Sequence, residues 1–389
     1  MMSALYHIII PFIVAMIATF WIHPKILKIA ILKNLVDNPD ARKLQREPTP
    51  VMGGIAVFFG IIVGICSSQI AFNTPNLFIV TAAITVMLYL GTLDDILGLS
   101  PRLRFLIEGI IILVVMLVSK DYMGNFFGLW GIGRIPDYLA YPLTMLATVG
   151  IINAINLIDG VNGLSSGYCI MASSVFAIMF CLTGNTVMTI LAATAVGALI
   201  PFFLHNVFGN RTKMFIGDGG ALLMGMLLSI FVMDLLDSDS ACTYFAHNRM
   251  GLIPFALSVL SISVFDTLRV MSARIMQKRS PFYPDKTHLH HLFIELGFSH
   301  IGTTIAILTL NSIVIFAWFL AYIAGASIDV QFYLVLFLSI LFTFIFYSFT
   351  KREIKRQSAY YRFLTTIGNL LRIEKRGIWA FIQRNIDKI

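Results

Sequence analysis

Four short stretches of this chain carry acids, amides and imidazoles where an apolar sequence has little use for them. Leu93-Asp94-Asp95 closes one hydrophobic run, and Asn153-Ala-Ile-Asn156-Leu-Ile-Asp159-Gly160-Val-Asn162-Gly163 closes another. Phe215-Ile-Gly217-Asp218-Gly219-Gly220 opens a third, and His288-Leu-His290-His291 lies in the connection 272–300. Neighbours on a helix, Asp94 and Asp95 point about 100° apart. One could therefore meet a metal while the other accepts a proton, and carboxylates this close titrate as a coupled pair. A helix cap, or an ion pair with Arg102 or Arg104, fits the same two residues. Asn153, Asn156, Asp159 and Asn162 recur at every third position and form one slowly winding polar stripe. Gly160 and Gly163 let a ligand come close to the backbone there. Ligand contact is the preferred reading of this stripe, over hydrogen bonding between membrane helices.

Asp218 stands between glycines, shortly after Arg211 and Lys213. That setting suits a Mg²⁺–phosphate site, because Mg²⁺ takes one or two carboxylates and fills its shell with phosphate oxygens and water; a turn with a solvated aspartate suits it equally. The three imidazoles do not have the helical His-x-x-x-His spacing of a zinc site, and no cysteine is near. Among Arg274, Lys278, Arg279 and Lys286 they read instead as donors to phosphate. Hard oxygen ligands, a proton acceptor and many cations make a set suited to phosphoryl transfer, where positioning and charge neutralisation carry most of the catalysis.

The elements that must position these groups are membrane spans. Of the 389 residues 58% are apolar and 12% charged, with a mean hydropathy of +0.85; soluble domains are about 45–50% apolar and about 25% charged. A soluble fold could not hide that surface, and 32 Phe and 13 Tyr exclude a disordered chain. The expected class is all-α, a polytopic integral membrane protein of about eleven helices at roughly 20 residues per span. Apolar runs lie at 4–22, 51–70, 77–93, 105–119, 138–158, 164–182, 186–204, 215–236, 251–271, 301–324 and 329–349. With no basic residue before it and no small-residue cleavage site after it, the first is expected to be a retained span.

Alternate connections hold the basic residues: Lys25, Lys28, Lys33, Arg42, Lys43 and Arg46, then Arg102 and Arg104, then Arg211 and Lys213. Arg269, Arg274, Lys278, Arg279 and Lys286 follow on the same side, and finally the tail from Lys351. The other side keeps Lys120, Arg134 and Arg249. Lys and Arg collect in cytoplasmic loops, so the N-terminus is expected outside, the C-terminus inside, and all four polar stretches on the cytoplasmic face. The net charge of +8 then reflects topology rather than nucleic-acid binding. Cys66, Cys169, Cys181 and Cys242 have no metal-type spacing and imply no disulfide framework. Residues 1–350 are expected to form one transmembrane transferase domain. Residues 351–389 interleave basic and apolar side chains, as in a non-catalytic amphipathic helix on an anionic leaflet; a solvated tail is the alternative.

At these motifs the chain resembles the polyprenyl-phosphate N-acetylhexosamine-1-phosphate transferases, glycosyltransferase family 4. It is most similar to the undecaprenyl-phosphate GlcNAc-1-phosphate transferases (WecA and TagO types) and is related to the peptidoglycan translocase MraY. The matching pieces, in order, are Pro50-Val-Met-Gly53-Gly54, Leu93-Asp94-Asp95, Asn153 to Gly160, Asn206 ahead of Phe215-Ile-Gly217-Asp218, Phe265-Asp266, and Ser280 to His291. The resemblance spans about residues 35–300. It implies transfer of GlcNAc-1-phosphate from UDP-GlcNAc to undecaprenyl phosphate with release of UMP, in the bacterial inner membrane, as the first membrane step of a surface polysaccharide such as O-antigen.

By the same resemblance Asp218 would be the principal Mg²⁺ ligand, with Asp94 and Asp95 near it and Mn²⁺ as a substitute metal. One of the Asp94–Asp95 pair would take the proton from the lipid phosphate, and Asp159 would complete the catalytic carboxylates. Lys43, Asn156, Asp159 and Asn162 would surround the nucleotide, with Asn206 and Lys213 among the substrate-binding groups. Arg274, His288, His290 and His291 would contact the sugar nucleotide and its diphosphate. UDP-GlcNAc, undecaprenyl phosphate, membrane lipid and a second copy of the chain are the expected partners. Asn162 departs from the usual bacterial aspartate and so cannot serve as a base, and Gly219-Gly220-Ala221 departs from the usual small-Gly-Ser ending. Both leave open another donor: a GalNAc, QuiNAc or FucNAc derivative, or UDP-MurNAc-pentapeptide. An ion-coupled secondary transporter is the alternative from another class, although its buried acids belong near the midplane.

Overall fold

The computed structural model describes residues 2–37, 48–72, 74–237, 250–282, 285–372 and 377–388. Lys43, Arg249 and Cys242 lie outside the described residues. The fold is nearly all-α. Helix α1 (Met2–Leu32) leads to the two-residue strands β1 (Val36–Asp37) and β2 (Thr49–Pro50), which pair antiparallel with Val36 opposite Pro50. Then come α2 (Gly53–Cys66), the single turn α3 (Gln69–Phe72), α4 (Asn76–Leu97), α5 (Pro101–Ser119) and α6 (Asp137–Leu157). Helices α7 (Leu164–Leu182), α8 (Thr186–Phe208), α9 (Gly217–Asp237) and α10 (Leu252–Met276) complete the centre, and α11 (Leu289–Glu295) precedes α12 (His300–Ile323). Helix α13 (Ile328–Ile340) continues through a π-helical turn, Leu341–Ile345, into α14 (Phe346–Arg356) as one rod, followed by α15 (Ala359–Leu370) and α16 (Ile378–Ile386).

Nine helices among the described residues are long and apolar enough to cross a membrane: α1, α4, α6 to α10, α12 and the rod Ile328–Arg356. Two of the expected runs fall short of that measure. Helix α2 has 14 residues, a rise of about 21 Å against a hydrocarbon core of about 30 Å. Helix α5 begins with Arg102, Arg104 and Glu108 in its first eight residues. Arg104 and Glu108 are absorbed inside the bundle, while Arg102 stays exposed. Arg104 lies 3.3 Å from Asp94 and 3.4 Å from Glu108, and it donates to the Asn153 amide oxygen at 2.8 Å. The Asn153 amide in turn donates to Glu108 at 3.1 Å.

Helix α9 runs through the middle of the bundle. Nearly every side chain from Gly217 to Leu236 is buried, as its all-round apolar sequence requires. Short connections make successive long helices antiparallel, so the ends of α4, α6, α8 and α10 and the start of α9 gather at one end of the bundle. The far end is laced differently. There the loop between α5 and α6, bridged at Asn125 and Arg134, reaches over α13. The Trp130 backbone N–H donates to Asp329 at 2.7 Å, and its indole N–H donates to the Tyr333 hydroxyl at 3.0 Å.

The tail residues described do form amphipathic helices, but α16 rests on α8, with the Trp379 ring 4.5 Å from that of Phe208. This differs from a segment held by lipid alone.

Candidate functional site

The gathered helix ends enclose one cavity of about 1400 Å³. Single drug-sized ligands occupy roughly 300–1,000 Å³, so this one has room for two substrate head groups. Asp95, Asn156, Asp159, Asn162, Asn206, Lys213, Asp218, Arg274, His288, His290 and His291 all line it. Residues separated by up to two hundred positions in the chain thus line one cavity. Asp94 does not line the cavity. Its Oδ1 accepts the Leu99 N–H at 2.7 Å and its Oδ2 faces Arg104 at 3.3 Å, so it fills the cap-and-pair role instead. Asn153, the first residue of the polar stripe, is committed to Arg104 and Glu108. The stripe therefore divides: its first member ties helices together, and the next three face the cavity.

Asp95 serves the start of α9. Its Oδ1 accepts the Asp218 N–H at 3.0 Å and its Oδ2 the Gly219 N–H at 3.3 Å, two of the donors a helix N-terminus leaves unpaired. Gly217 makes that approach possible: its φ is +72°, and a Cβ there would stand 2.6 Å from Asp95 Oδ2. The Phe215 and Ile216 carbonyls accept the N–H groups of Gly53 and Gly54 at 2.9 and 2.8 Å, locking α2 to the same segment. Asn156 donates its amide to Asp218 Oδ1 at 2.7 Å.

Asp159 lies in the loop after α6, where burial and then the neighbouring Asp218 charge push its carboxyl up to about 7. This crowding of acids on one wall is what a divalent cation would relieve. Among the described residues no three His, Cys, Asp or Glu side chains close around a metal by themselves. The donor set still fits Mg²⁺, which needs only one or two carboxylates when a phosphate supplies other oxygens.

The histidine segment is held from behind. Asp266, buried in α10, accepts His288 Nδ1–H at 2.9 Å, Arg269 at 2.6 Å and the Leu289 N–H at 3.1 Å. Arg269 also lies over the Tyr347 ring at 3.6 Å. The carboxylate fixes which ring nitrogen of His288 carries the proton toward it. His288 Nε2 is then buried with no partner among the described residues, beside the cavity. Buried polar atoms are normally satisfied, so this nitrogen is one that a group in the cavity could engage. His290 stacks parallel to His288 at 5.7 Å and lies 4.3 Å from the His291 ring. Burial first, then the neighbouring His288 and Lys286 charges, bring His291 down to about 4, and burial lowers His290 as well. Both imidazoles are neutral near pH 7.

Two expected substrate contacts are already engaged. Asn206 accepts the Gly163 N–H at 2.6 Å and donates to the Met214 carbonyl at 2.8 Å, joining the two polar loops. Arg274 grips Asp285 through Nε at 3.0 Å and Nη2 at 3.1 Å. Burial alone would raise Asp285, but Arg274 and hydrogen bonds from Thr287 hold it down to about 2. Both residues position the site's loops while presenting a face to it.

Sequence reasoning took Asp266 and Asp285 only as parts of motifs and Arg269 only as a topology-setting charge, and it gave Glu108 no role. Asp266 and Arg269 carried a signal in being an i,i+3 acid–base pair within an apolar run. Arg372, Trp379 and Gln383 of the tail also line the cavity, with no sequence signal to say so.

Comparison with known proteins agrees with this geometry. The family profile of glycosyl transferase family 4 matches residues 77–236. A Bacillus subtilis (strain 168) protein named probable undecaprenyl-phosphate N-acetylglucosaminyl 1-phosphate transferase is 33% identical over 295 residues, 75% of this chain and 79% of its own length. The undecaprenyl-phosphate alpha-N-acetylglucosaminyl 1-phosphate transferases of Salmonella typhi and Escherichia coli (strain K12) are each 30% identical, over 70% of this chain and 72% of theirs. By motif order, by the cavity those motifs build and by these relatives, the chain belongs to glycosyl transferase family 4.

Proposed function

We propose that this protein transfers N-acetylglucosamine-1-phosphate from UDP-GlcNAc to undecaprenyl phosphate, with Mg²⁺ held by Asp218 and Asp95. The observation that carries the reading is the cavity itself. It joins acids (Asp95, Asp159, Asp218), cations (Arg211, Lys213) and an unpartnered imidazole nitrogen on His288. In the reaction a lipid-phosphate oxygen attacks the sugar-bearing phosphorus. A new P–O bond forms while the bond to the UMP oxygen breaks, and UMP leaves with that electron pair. Mg²⁺, when bound, would neutralise diphosphate charge.

The chain's own residues account for the rest. The basic groups meet phosphate oxygens, His288 would donate to one through Nε2 when its ring carries a second proton, and Asn156 keeps the Asp218 carboxylate oriented. Of the adjacent acids, Asp95 is the one that lines the cavity beside Asp218, whereas Asp94 is occupied by Arg104. Asp159 and Asn162 border the space for the nucleotide. Eleven traversals, counting α2 and α5 as short or polar spans, put the cavity at the Lys- and Arg-rich end. By charge bias that end is cytoplasmic, where a nucleotide sugar dissolved in water can meet a lipid phosphate. The relatives are bacterial, which favours the inner membrane. A transporter would keep its ionisable groups near mid-span; here they sit at helix ends.

The decisive experiment measures UMP release by purified protein from UDP-GlcNAc. Release that requires both undecaprenyl phosphate and Mg²⁺ is expected. UMP release from a different UDP-N-acetylhexosamine only would change the donor, and release from none would overturn the reading.

A further inference from the structure

The C-terminal helix α16 does not lie loose at the membrane surface. Asp387, just past its end, is seated in the turn between α8 and α9. Its carboxylate accepts the backbone N–H groups of Asn210 and Arg211, both at 3.0 Å, and of Thr212 at 3.3 Å, together with the Thr212 hydroxyl at 3.2 Å. A concave run of backbone N–H groups of this kind is an anion-binding nest, and here the chain supplies the anion itself. The same turn leads through Met214, tied to Asn206, into Asp218. At the other end of the helix the Trp379 ring leans on Phe208 at 4.5 Å. Ahead of it, Arg372 donates to the Gly297 carbonyl at 3.1 Å, beside the histidine segment. Three anchors therefore hold the tail across the cavity, and Arg372, Trp379 and Gln383 face into it next to Asn210 and Arg211.

We propose that α16 is a wall of the nucleotide-sugar pocket, in which Trp379 and Gln383 touch the donor and Asp387 is the positioning residue that keeps them there. This inference rests on the reaction proposed above. The Trp379 ring, braced by a tilted Phe208 ring, offers a planar apolar surface to a uracil or sugar ring, and the Gln383 amide can both donate and accept. The lipid phosphate must arrive from the bilayer, whereas α16 is bound to polar turns at the mouth, so the water-borne substrate is the one that meets it.

The test uses the full-length chain and its variants Trp379→Ala, Trp379→Phe, Gln383→Ala and Asp387→Ala, assayed with both substrates varied. Trp379→Ala should raise the KM for UDP-GlcNAc by about 5- to 150-fold, the range for losing one ring-on-aromatic stack. The lipid-phosphate KM and kcat should stay within about twofold, and Trp379→Phe should restore most of the donor affinity. Asp387→Ala should raise the same KM and speed hydrogen exchange at the 378–386 amides. An unchanged donor KM in Trp379→Ala and Gln383→Ala, with wild-type turnover, overturns this inference alone. Loss of kcat together with thermal stability, and no selective donor effect, overturns it in favour of a merely structural tail. No UMP release by the wild-type chain from any UDP-sugar sinks the reaction reading and this inference with it.

Discussion

Gly160→Ala tests how closely the two polar loops must approach. A Cβ at Gly160 would stand 2.5 Å from His290 Nε2 and 3.1 and 3.2 Å from its ring carbons. Ordinary contacts are nearer 3.5–4.0 Å, so one side must move by about an ångström. The His290 ring cannot simply swing away, because His288 and His291 flank it at 5.7 and 4.3 Å. Forcing one methyl into such packing costs about 1–3 kcal/mol. If that strain separates Asp159 from His288 at the moment of reaction, kcat/KM falls about 5- to 150-fold, at 1.36 kcal/mol per decade. Global stability should change less, since alanine at a position without a positive φ regains about 0.4–1 kcal/mol through the unfolded chain.

The assay is UMP release with thermal unfolding in detergent alongside, repeated in a His290→Ala background. Removing the ring removes the clash, so Gly160→Ala should then cost less than about twofold, a non-additivity expected of groups in contact. Activity within twofold of wild type in the single variant would refute the close-approach argument. An equal penalty in both backgrounds would place its cause elsewhere.

Further expectations concern the acids and the metal. Asp218→Asn keeps the shape of the side chain but removes its charge; turnover should drop at least about 100-fold, in line with losing one electrostatic stabiliser of a transition state, while the protein still inserts. Near-normal Mg²⁺-dependent turnover would remove Asp218 from the metal. Chelation should abolish UMP release, and Mg²⁺ or Mn²⁺ should restore it; activity persisting in excess chelator contradicts the metal assignment. Asp285 is held down to about 2 in the folded protein, below its ordinary value near 3.9. Its pairing with Arg274 therefore adds stability that is complete above that ordinary value and fades as pH falls through about 2. Melting temperatures of wild type and Asp285→Asn should converge over that interval, and a constant gap between them would contradict the linkage.

What the sequence disclosed was periodicity and company. Long apolar runs predicted helices because nothing else spans lipid without stranding backbone groups, and those runs do fall on helices. The cavity was legible because Asp95, Asn156, Asp159, Asp218 and the histidines sit at run ends, the one place where polar groups from many helices can meet. Pairing was not legible. Asp94 and Asp95 are equivalent as letters, yet one turns to Arg104 and the other to the α9 N-terminus, a choice fixed by helix rotation. Asn153 and Asn156 divide for the same reason. The tail looked like a membrane-surface helix because basic and apolar residues alternate there. That pattern also suits a helix laid across a polar cavity mouth, and the anchors at Arg372, Trp379 and Asp387 separate the two.

The stitch of Trp130 to Asp329 and Tyr333 has a mechanical corollary. It pins one end of the 29-residue rod Ile328–Arg356. Over a length of about 43 Å, one degree of tilt about that pin would displace the opposite end by about 0.8 Å. Tyr347 and Lys351 ride near that end, the first against Arg269 and the second paired with Glu295. Tilt of this lipid-facing rod would therefore be felt first at the guanidinium that steadies Asp266, one hydrogen bond away from His288.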